Sequence, residues 1–157
     1  MKIGVMSDSH DNLPMIRRAL EVFRSAGVEC LVHAGDFIAP FAVREVLKFG
    51  GPAHGCFGNN DGEKAGIRKV WPTVAESPVS LVLGGRRVLL SHAPVDAPAA
   101  PDAPEILISG HTHQLLVDRQ PGGPLRLNPG ETGGWLTGRC TVAVLDTDTL
   151  EVKIIDL

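Results

Sequence analysis

An excess of positive charge is the first thing this sequence lacks: 15 Lys and Arg stand against 18 Asp and Glu, a formal charge of −3. Proteins that grip a nucleic-acid backbone do so through clustered basic side chains, so a nucleic-acid polymer is not an expected partner. A long apolar run is also missing. The opening MKIGVMSDSH carries one Lys and a short apolar stretch that ends at Asp8, too brief for a signal-peptide core or a membrane span. Cysteine is scarce. Cys30, Cys56 and Cys140 are odd in number, widely spaced and form no C-x-x-C pair. They read as free thiols in a reducing compartment, and a cytoplasmic location is expected. No internal repeat is present. What remains is an ordinary globular composition, 43% hydrophobic and 21% charged over 157 residues. That length suits one domain, residues 1–157, with a substantial core.

The first half alternates apolar runs with helical patterns. IGVMS reads as a strand, after which Ile16, Ala19, Leu20 and Phe23 share one helical face closed by Gly27. CLVHAG predicts a second strand, followed by a helix that Pro40 opens and that carries Val43, Val46 and Leu47. AHGCF predicts a third strand, with a weaker helix after Asp61 that ends before Pro72. Strand–helix–strand order with short loops implies parallel strands joined by right-handed crossovers. After Pro78 strands dominate: VSLVL and RVLLS flank Gly84–Gly85 as a hairpin, then EILIS, LLVD, LRLN, TVAVLD and EVKII follow. No helix is expected in the last third. The Pro-rich APVDAPAAPDAP, residues 93–104, reads as a loop.

Polar residues collect where these strands end. IGVMS runs into Asp8 and His10, CLVHAG into Asp36, AHGCF into Asn59, RVLLS into His92, and EILIS into His111 and His113. Ligands of open α/β sheets bind outside the carboxyl ends of the strands, so these scattered residues converge on one edge. Two carboxylates, an amide oxygen and four imidazoles make a mixed N/O inventory suited to Mn, Fe, Ni or Zn. No thiolate belongs to the set, which makes a closed structural zinc site a poor fit. Residues i and i+2 of an extended segment point the same way, ~6.6 Å apart. Asp8 with His10 could thus share a metal, His111 with His113 could serve a pair of metals ~3.5–4 Å apart, and Asp36 could span both. Each residue also has a plainer role. Asp8 and Asp36 could cap the helices that follow, a single His after a strand is commonly a surface or core residue, and FGNNDGE (57–63) has the composition of a tight turn.

Taken together, SDSH, AGD, GNND, SH and GHTH in this order resemble the five motifs of the calcineurin-like metallophosphoesterases. Those motifs read D-x-H, G-D, G-N-H-[DE], G-H and G-H-x-H. The tail NPGETGGWLTG resembles a loop of the small stand-alone bacterial and archaeal phosphodiesterases of that family. The resemblance implies an α/β fold, a four-layer αββα sandwich of two mixed β-sheets flanked by helices. It implies a binuclear centre of two divalent transition metals, manganese first, with nickel, iron or zinc as alternatives. One ion would be held by Asp8, His10, Asp36 and His113, the other by Asp36, Asn59, His92 and His111. A hydroxide bridging the ions would attack a small or nucleotide-like phosphodiester, with Asp36, Asn59, Asn60 and His92 as the catalytic set. Asn60 departs from the family, most of which has His there to protonate the leaving oxygen. Asn has no proton to give near neutral pH, so aryl or otherwise stabilised leaving groups are expected. The alternatives are a phosphomonoesterase or phosphoprotein phosphatase, and a scaffold that keeps the fold without catalysis; the complete ligand set tells against the scaffold.

Several residues stay outside this set. Asp61 is expected to cap the helix that follows it, and Asn12, just before Leu13 and Pro14, to cap the first helix. His33 and His54 read as packed or exposed fillers, Arg86 and Arg87 as solvated charge. Trp135 either stacks on a base or aryl group of the substrate or plugs the core. Family members usually join the last two motif strands through a sizeable helix, and Pro94 stands where a further His often follows the ligand. A loop at 93–104 should leave the second metal more open to solvent and apolar surface bare, which a homo-oligomer would cover.

Overall fold

The computed structural model describes residues 1–96 and 102–157. Among the described residues, ten strands form two mixed sheets of five, and three α-helices accompany them. The first sheet has the order β10-β9-β1-β2-β3, built from β1 (Lys2–Met6), β2 (Cys30–His33), β3 (Ala53–Gly55), β9 (Thr141–Asp146) and β10 (Val152–Asp156). β1, β2 and β3 run parallel, with Ile3 opposite Cys30 and Met6 opposite His33, while β9 and β10 are antiparallel additions. The second sheet has the order β4-β5-β6-β8-β7, from β4 (Val79–Leu83), β5 (Arg86–Leu90), β6 (Ile106–Ile108), β7 (Leu115–Arg119) and β8 (Leu125–Pro129).

Alternation along the strands assigns the layers. Ile3, Val5 and Val32 face Leu90, Ile106, Ile108 and Leu127 across the inter-sheet core. Met6 and Leu31 point the other way, onto Ile16, Leu20 and Phe23 of α1 (Leu13–Ser25) and onto α2 (Pro40–Val46). A strand buried on both faces reads as a continuous apolar run, which is why IGVM carries no polar letter. Each such Ile, Leu or Phe contributes ~1.5–3 kcal/mol through burial. Gly4 is needed for packing: a Cβ there would meet the Phe23 ring at 2.9 Å. α3 (Lys64–Val70) buries Ile67 against Phe37, Val43 and Trp71.

The helix face Ile16, Ala19, Leu20 and Phe23 is buried as the spacing requires. Asn12 caps α1, its side chain accepting from the Met15 amide at 3.4 Å. Leu47, expected in α2, instead opens a 3-10 turn, Leu47–Phe49. The third strand stops at Gly55, and Cys56 and Phe57 bridge to Ala75. Gly84 and Gly85, at φ +55° and +77°, form the two-residue turn between β4 and β5.

The described ends of the β5–β6 connection, residues 91–96 and 102–105, make contacts with strands of the second sheet. Asp96 pairs with Arg126 at 2.9 Å, and Arg87 Nε donates to the Ala103 carbonyl at 2.9 Å. Residues 93–96 and 102–104 hold no helix, as expected; the remainder of the 93–104 reading lies outside the described residues. Arg87 is exposed, as its place beside a turn suggests, whereas Arg86 is half-buried. Both reach Glu105, and Arg86 also donates to the Thr147 carbonyl at 3.0 Å, beyond the end of β9.

Candidate metal centre

The ends of β1, β2, β3, β5 and β6 meet where the two sheets share an edge, and the seven side chains singled out from the sequence meet there. Asp8, Asp36 and His92 are buried, His10 and His113 are half-buried, and Asn59 and His111 face solvent. The extended i, i+2 geometry expected for Asp8–His10 and His111–His113 is not what brings them together. Asp8 (φ +49°), His10 (+41°), Asp36 (+57°), His111 (+66°) and His113 (+59°) all lie in the left-handed region. Each such residue costs ~1–3 kcal/mol and persists only where its surroundings impose it, a pattern that clusters at functional sites. The left-handed turns aim backbone amides at the carboxylates. His111 N–H donates to Asp8 Oδ2 at 3.0 Å, and Asn60 N–H to Asp36 Oδ1 at 2.9 Å.

Two groups of ligand-type atoms result. In the first, Asp8 Oδ1 lies 3.4 Å from His113 Nε2 and 3.9 Å from His10 Nε2, which is 3.6 Å from Asp36 Oδ2. In the second, Asn59 Oδ1 is 2.9 Å from both His92 Nε2 and His111 Nδ1, and His92 Nε2 is 3.4 Å from Asp36 Oδ2. Asp36 belongs to both. The ring tautomers are constrained from behind. His92 Nδ1–H donates to the Ala34 carbonyl at 2.8 Å, and His113 Nδ1–H to Glu131 at 2.9 Å, so both present a bare Nε2. Lone pairs therefore face lone pairs. Asp8 Oδ1 and His10 Nε2 are buried and, among the described residues, have no hydrogen-bond partner. Leaving such atoms orphaned costs ~1–3 kcal/mol each. Adjacent ligands of an octahedral ion at ~2.1 Å stand ~3.0 Å apart, so these spacings fit a cation in each group.

Electrostatics follow from burial and partners. Burial pushes the Asp8 carboxyl up, against the Ser7 hydroxyl bond and the nearby imidazoles. Burial also opposes charge on Asp36, but the adjacent His92 imidazole and the two hydrogen bonds from Asn60 prevail and hold it well below the usual carboxylate range. Asn60 Nδ2 donates to Asp36 Oδ2 at 2.8 Å, so its amide serves the carboxylate that both groups share.

Asp61, Gly58, His33 and Glu131, all outside the ligand set, hold the site from behind. Asp61 is not a helix cap; Glu63 occupies that position in α3. Its carboxylate accepts from the backbone of Asp36 (3.0 Å), Ile38 (2.8 Å) and Gly58 (2.7 Å), joining two ligand-bearing loops. Gly58 must be glycine, since a Cβ would run into the Asp36 carboxylate. Burial drives His33 down to about 3 and keeps it neutral; its Nδ1 accepts from Gly35 while Nε2–H serves Ser9 at 3.0 Å. Glu131, fully buried, takes His113 as noted, and despite burial its hydrogen bonds bring it to about 2. Trp135 is 66% exposed, which excludes the core plug; its Nε1–H donates to the His10 carbonyl at 3.1 Å. His54 is half-buried and stands on β3, outside both ligand groups.

Residues 1–150 match the calcineurin-like phosphoesterase superfamily domain, and the chain belongs to that family. It is 32% identical to Phosphodiesterase MJ0936 of Methanocaldococcus jannaschii, over 100% of this chain and 99% of the relative. It is 31% identical to Phosphodiesterase YfcE of Escherichia coli K12, over 97% and 91% respectively. The solved structure of a novel archaeal phosphodiesterase superposes with a TM-score of 0.87 at 31% identity, over the whole of both chains. A single mutant of Vps29 from Entamoeba histolytica, 18% identical, shares the fold with a TM-score of 0.69 over 100% of this chain and 99% of that one. Among the described residues no helix is long and apolar enough to cross a membrane.

Proposed function

We propose that the chain is a metal-dependent hydrolase of small or nucleotide-like phosphodiesters, working with two divalent transition metals, manganese foremost. The observation that carries this is the pair of buried, partnerless atoms Asp8 Oδ1 and His10 Nε2, facing each other at 3.9 Å in a shell of bare imidazole nitrogens. Relatives named as phosphodiesterases, similar over nearly their whole length, support the substrate class. Asp8, His10, Asp36 and His113 would hold one ion, and Asp36, Asn59, His92 and His111 the other. Bound there, the ions would supply Lewis acidity and an acidified water for in-line attack on phosphorus. The protein's own work is positional. Asp36 offsets the repulsion between two cations, and the Ala34 carbonyl and Glu131 orient His92 and His113 so that Nε2 of each points into the ligand groups. Asn60 steadies Asp36 and gives the leaving oxygen no proton, which favours aryl or otherwise stabilised leaving groups.

The test is elemental analysis after reconstitution with Mn²⁺, paired with turnover of an aryl phosphodiester and an aryl phosphomonoester side by side. Two ions per chain and faster diester turnover are expected. One ion per chain with full activity would overturn the binuclear assignment, and faster monoester turnover would favour a phosphomonoesterase.

A further inference from the structure

Glu131 joins the first ligand group to the loop that follows β8. Its carboxylate is completely buried at the end of β8 and accepts from two directions. On one side is His113 Nδ1–H at 2.9 Å. On the other are the Leu136 amide at 3.1 Å, the Thr137 amide, and the Thr137 hydroxyl at 2.6 Å. Those donors belong to a segment bracketed by Gly134 and Gly138, both in the left-handed region, that exposes Trp135 and Leu136 (66% and 77%). The segment also leans on the first ligand group directly, because Trp135 Nε1–H donates to the His10 carbonyl.

We propose that Glu131 is a positioning residue that couples cation binding by Asp8, His10 and His113 to the placement of the Trp135–Leu136 wall beside the site. The proposal rests on the metal-site reading above, but not on turnover. A carboxylate is acceptor-only, so it satisfies donors on both sides at once. His113 can donate to it only as the Nδ1–H tautomer, the one that leaves Nε2 free for a cation. A cation at Nε2 therefore fixes the ring, the ring fixes Glu131, and Glu131 fixes the wall. Coupling is reciprocal, so the donors of the wall also preorganise His113. Glutamine breaks this logic. It has one acceptor oxygen and one donor amide, so in either orientation one side meets donor against donor. Either His113 turns to the tautomer that blocks Nε2, or the wall loses its anchor.

The experiment uses Zn²⁺ as probe, followed by calorimetric titration and by tryptophan emission. Trp71 is buried and Trp135 exposed, so Trp135→Phe identifies the emission belonging to the wall. In the native protein, Zn²⁺ should change that emission. Glu131→Gln should weaken one Zn²⁺ site by about 10–100-fold and abolish the change. Should that variant fail to fold, Thr137→Val provides the test, since it alters an exposed residue and removes one hydroxyl donor. It should weaken the same site about fivefold, the worth of one hydrogen bond, although residue 137 touches no ligand atom. Native Zn²⁺ affinities in both variants, or a native emission response in Glu131→Gln, would overturn the coupling alone. A native protein that takes up no Zn²⁺ would overturn the metal site and the coupling together.

Discussion

Asp61 shows how much of the site rests on a residue that touches no candidate ligand atom. One of its oxygens takes the amides of Asp36 and Gly58, the other that of Ile38, and burial raises its pKa against those three bonds. Asp61→Asn puts an NH₂ where an oxygen accepted, leaving at least one amide unpaired at a cost of ~1–3 kcal/mol. The expected outcome is a lower urea midpoint with unchanged slope and weaker Zn²⁺ binding by both groups, which share Asp36. Unchanged stability together with unchanged affinity would show that the loop holds without the carboxylate. The seven ligand candidates were legible in the sequence because each is a rare, chemistry-bearing letter at the same place after a strand. Asp61 was misread as a cap because its partners are backbone amides, which every non-proline residue carries and no letter records. Glu131 lay in plain sight in NPGETGG, but its donors come from His113 on one side and from an irregular loop on the other. The exposed Trp135 could be placed only once the loop was seen to fold outward.

The elements were legible where burial is two-sided or the turn is short. IGVM and the β4–β5 hairpin needed no tertiary information, while AHGCF outran its strand because Ala75, far along the chain, captures Cys56. The left-handed loops were not legible at all, since the residues there are Asp and His, and nothing in their identity demands positive φ. The loop after β6 is the clearest case. β6 is only three residues long, fully buried between β5 and β8, and it delivers Gly110, His111 and His113 to the site. Gly110 lies so close to β1's continuation that a Cβ would collide with the Ser7 hydroxyl and come within 2.6 Å of Asp8 Oδ2. Gly110→Ala must push the loop outward, and the His111 amide bond to Asp8 moves with it. Overpacking of this kind costs ~1–3 kcal/mol. The variant should fold, lose stability on that scale and bind at most one Zn²⁺ per chain; two tightly bound ions would mean that the loop adapts without disturbing Asp8.

At the scale of the whole molecule, the candidate ligands follow strands of both sheets. Asp8, His10, Asp36 and Asn59 come from the first, His92, His111 and His113 from the second. The two sheets are otherwise held by the apolar layer around Ile3, Val5, Leu90, Ile106 and Leu127, which is indifferent to divalent ions. Near the site the same interface carries the reverse balance, with bare imidazole nitrogens and two carboxylates crowded together and several left-handed residues under strain. A cation that neutralises this crowding binds only the folded chain, so it must stabilise the whole sandwich and not merely the loops. At a free ion concentration of 100 times the dissociation constant, one site adds ~2.7 kcal/mol. For a chain of this size each kcal/mol moves the midpoint by ~2–4 °C, so one occupied site should raise it by ~5–11 °C and two by about twice that. Scanning calorimetry with EDTA and with excess Mn²⁺ reads this directly. The rise should grow with the logarithm of ion concentration, and Asp36→Asn should remove most of it because both groups lose their shared oxygen. A midpoint that ignores Mn²⁺, in protein shown by analysis to contain it, would mean that the ions sit on a surface that unfolding does not disturb.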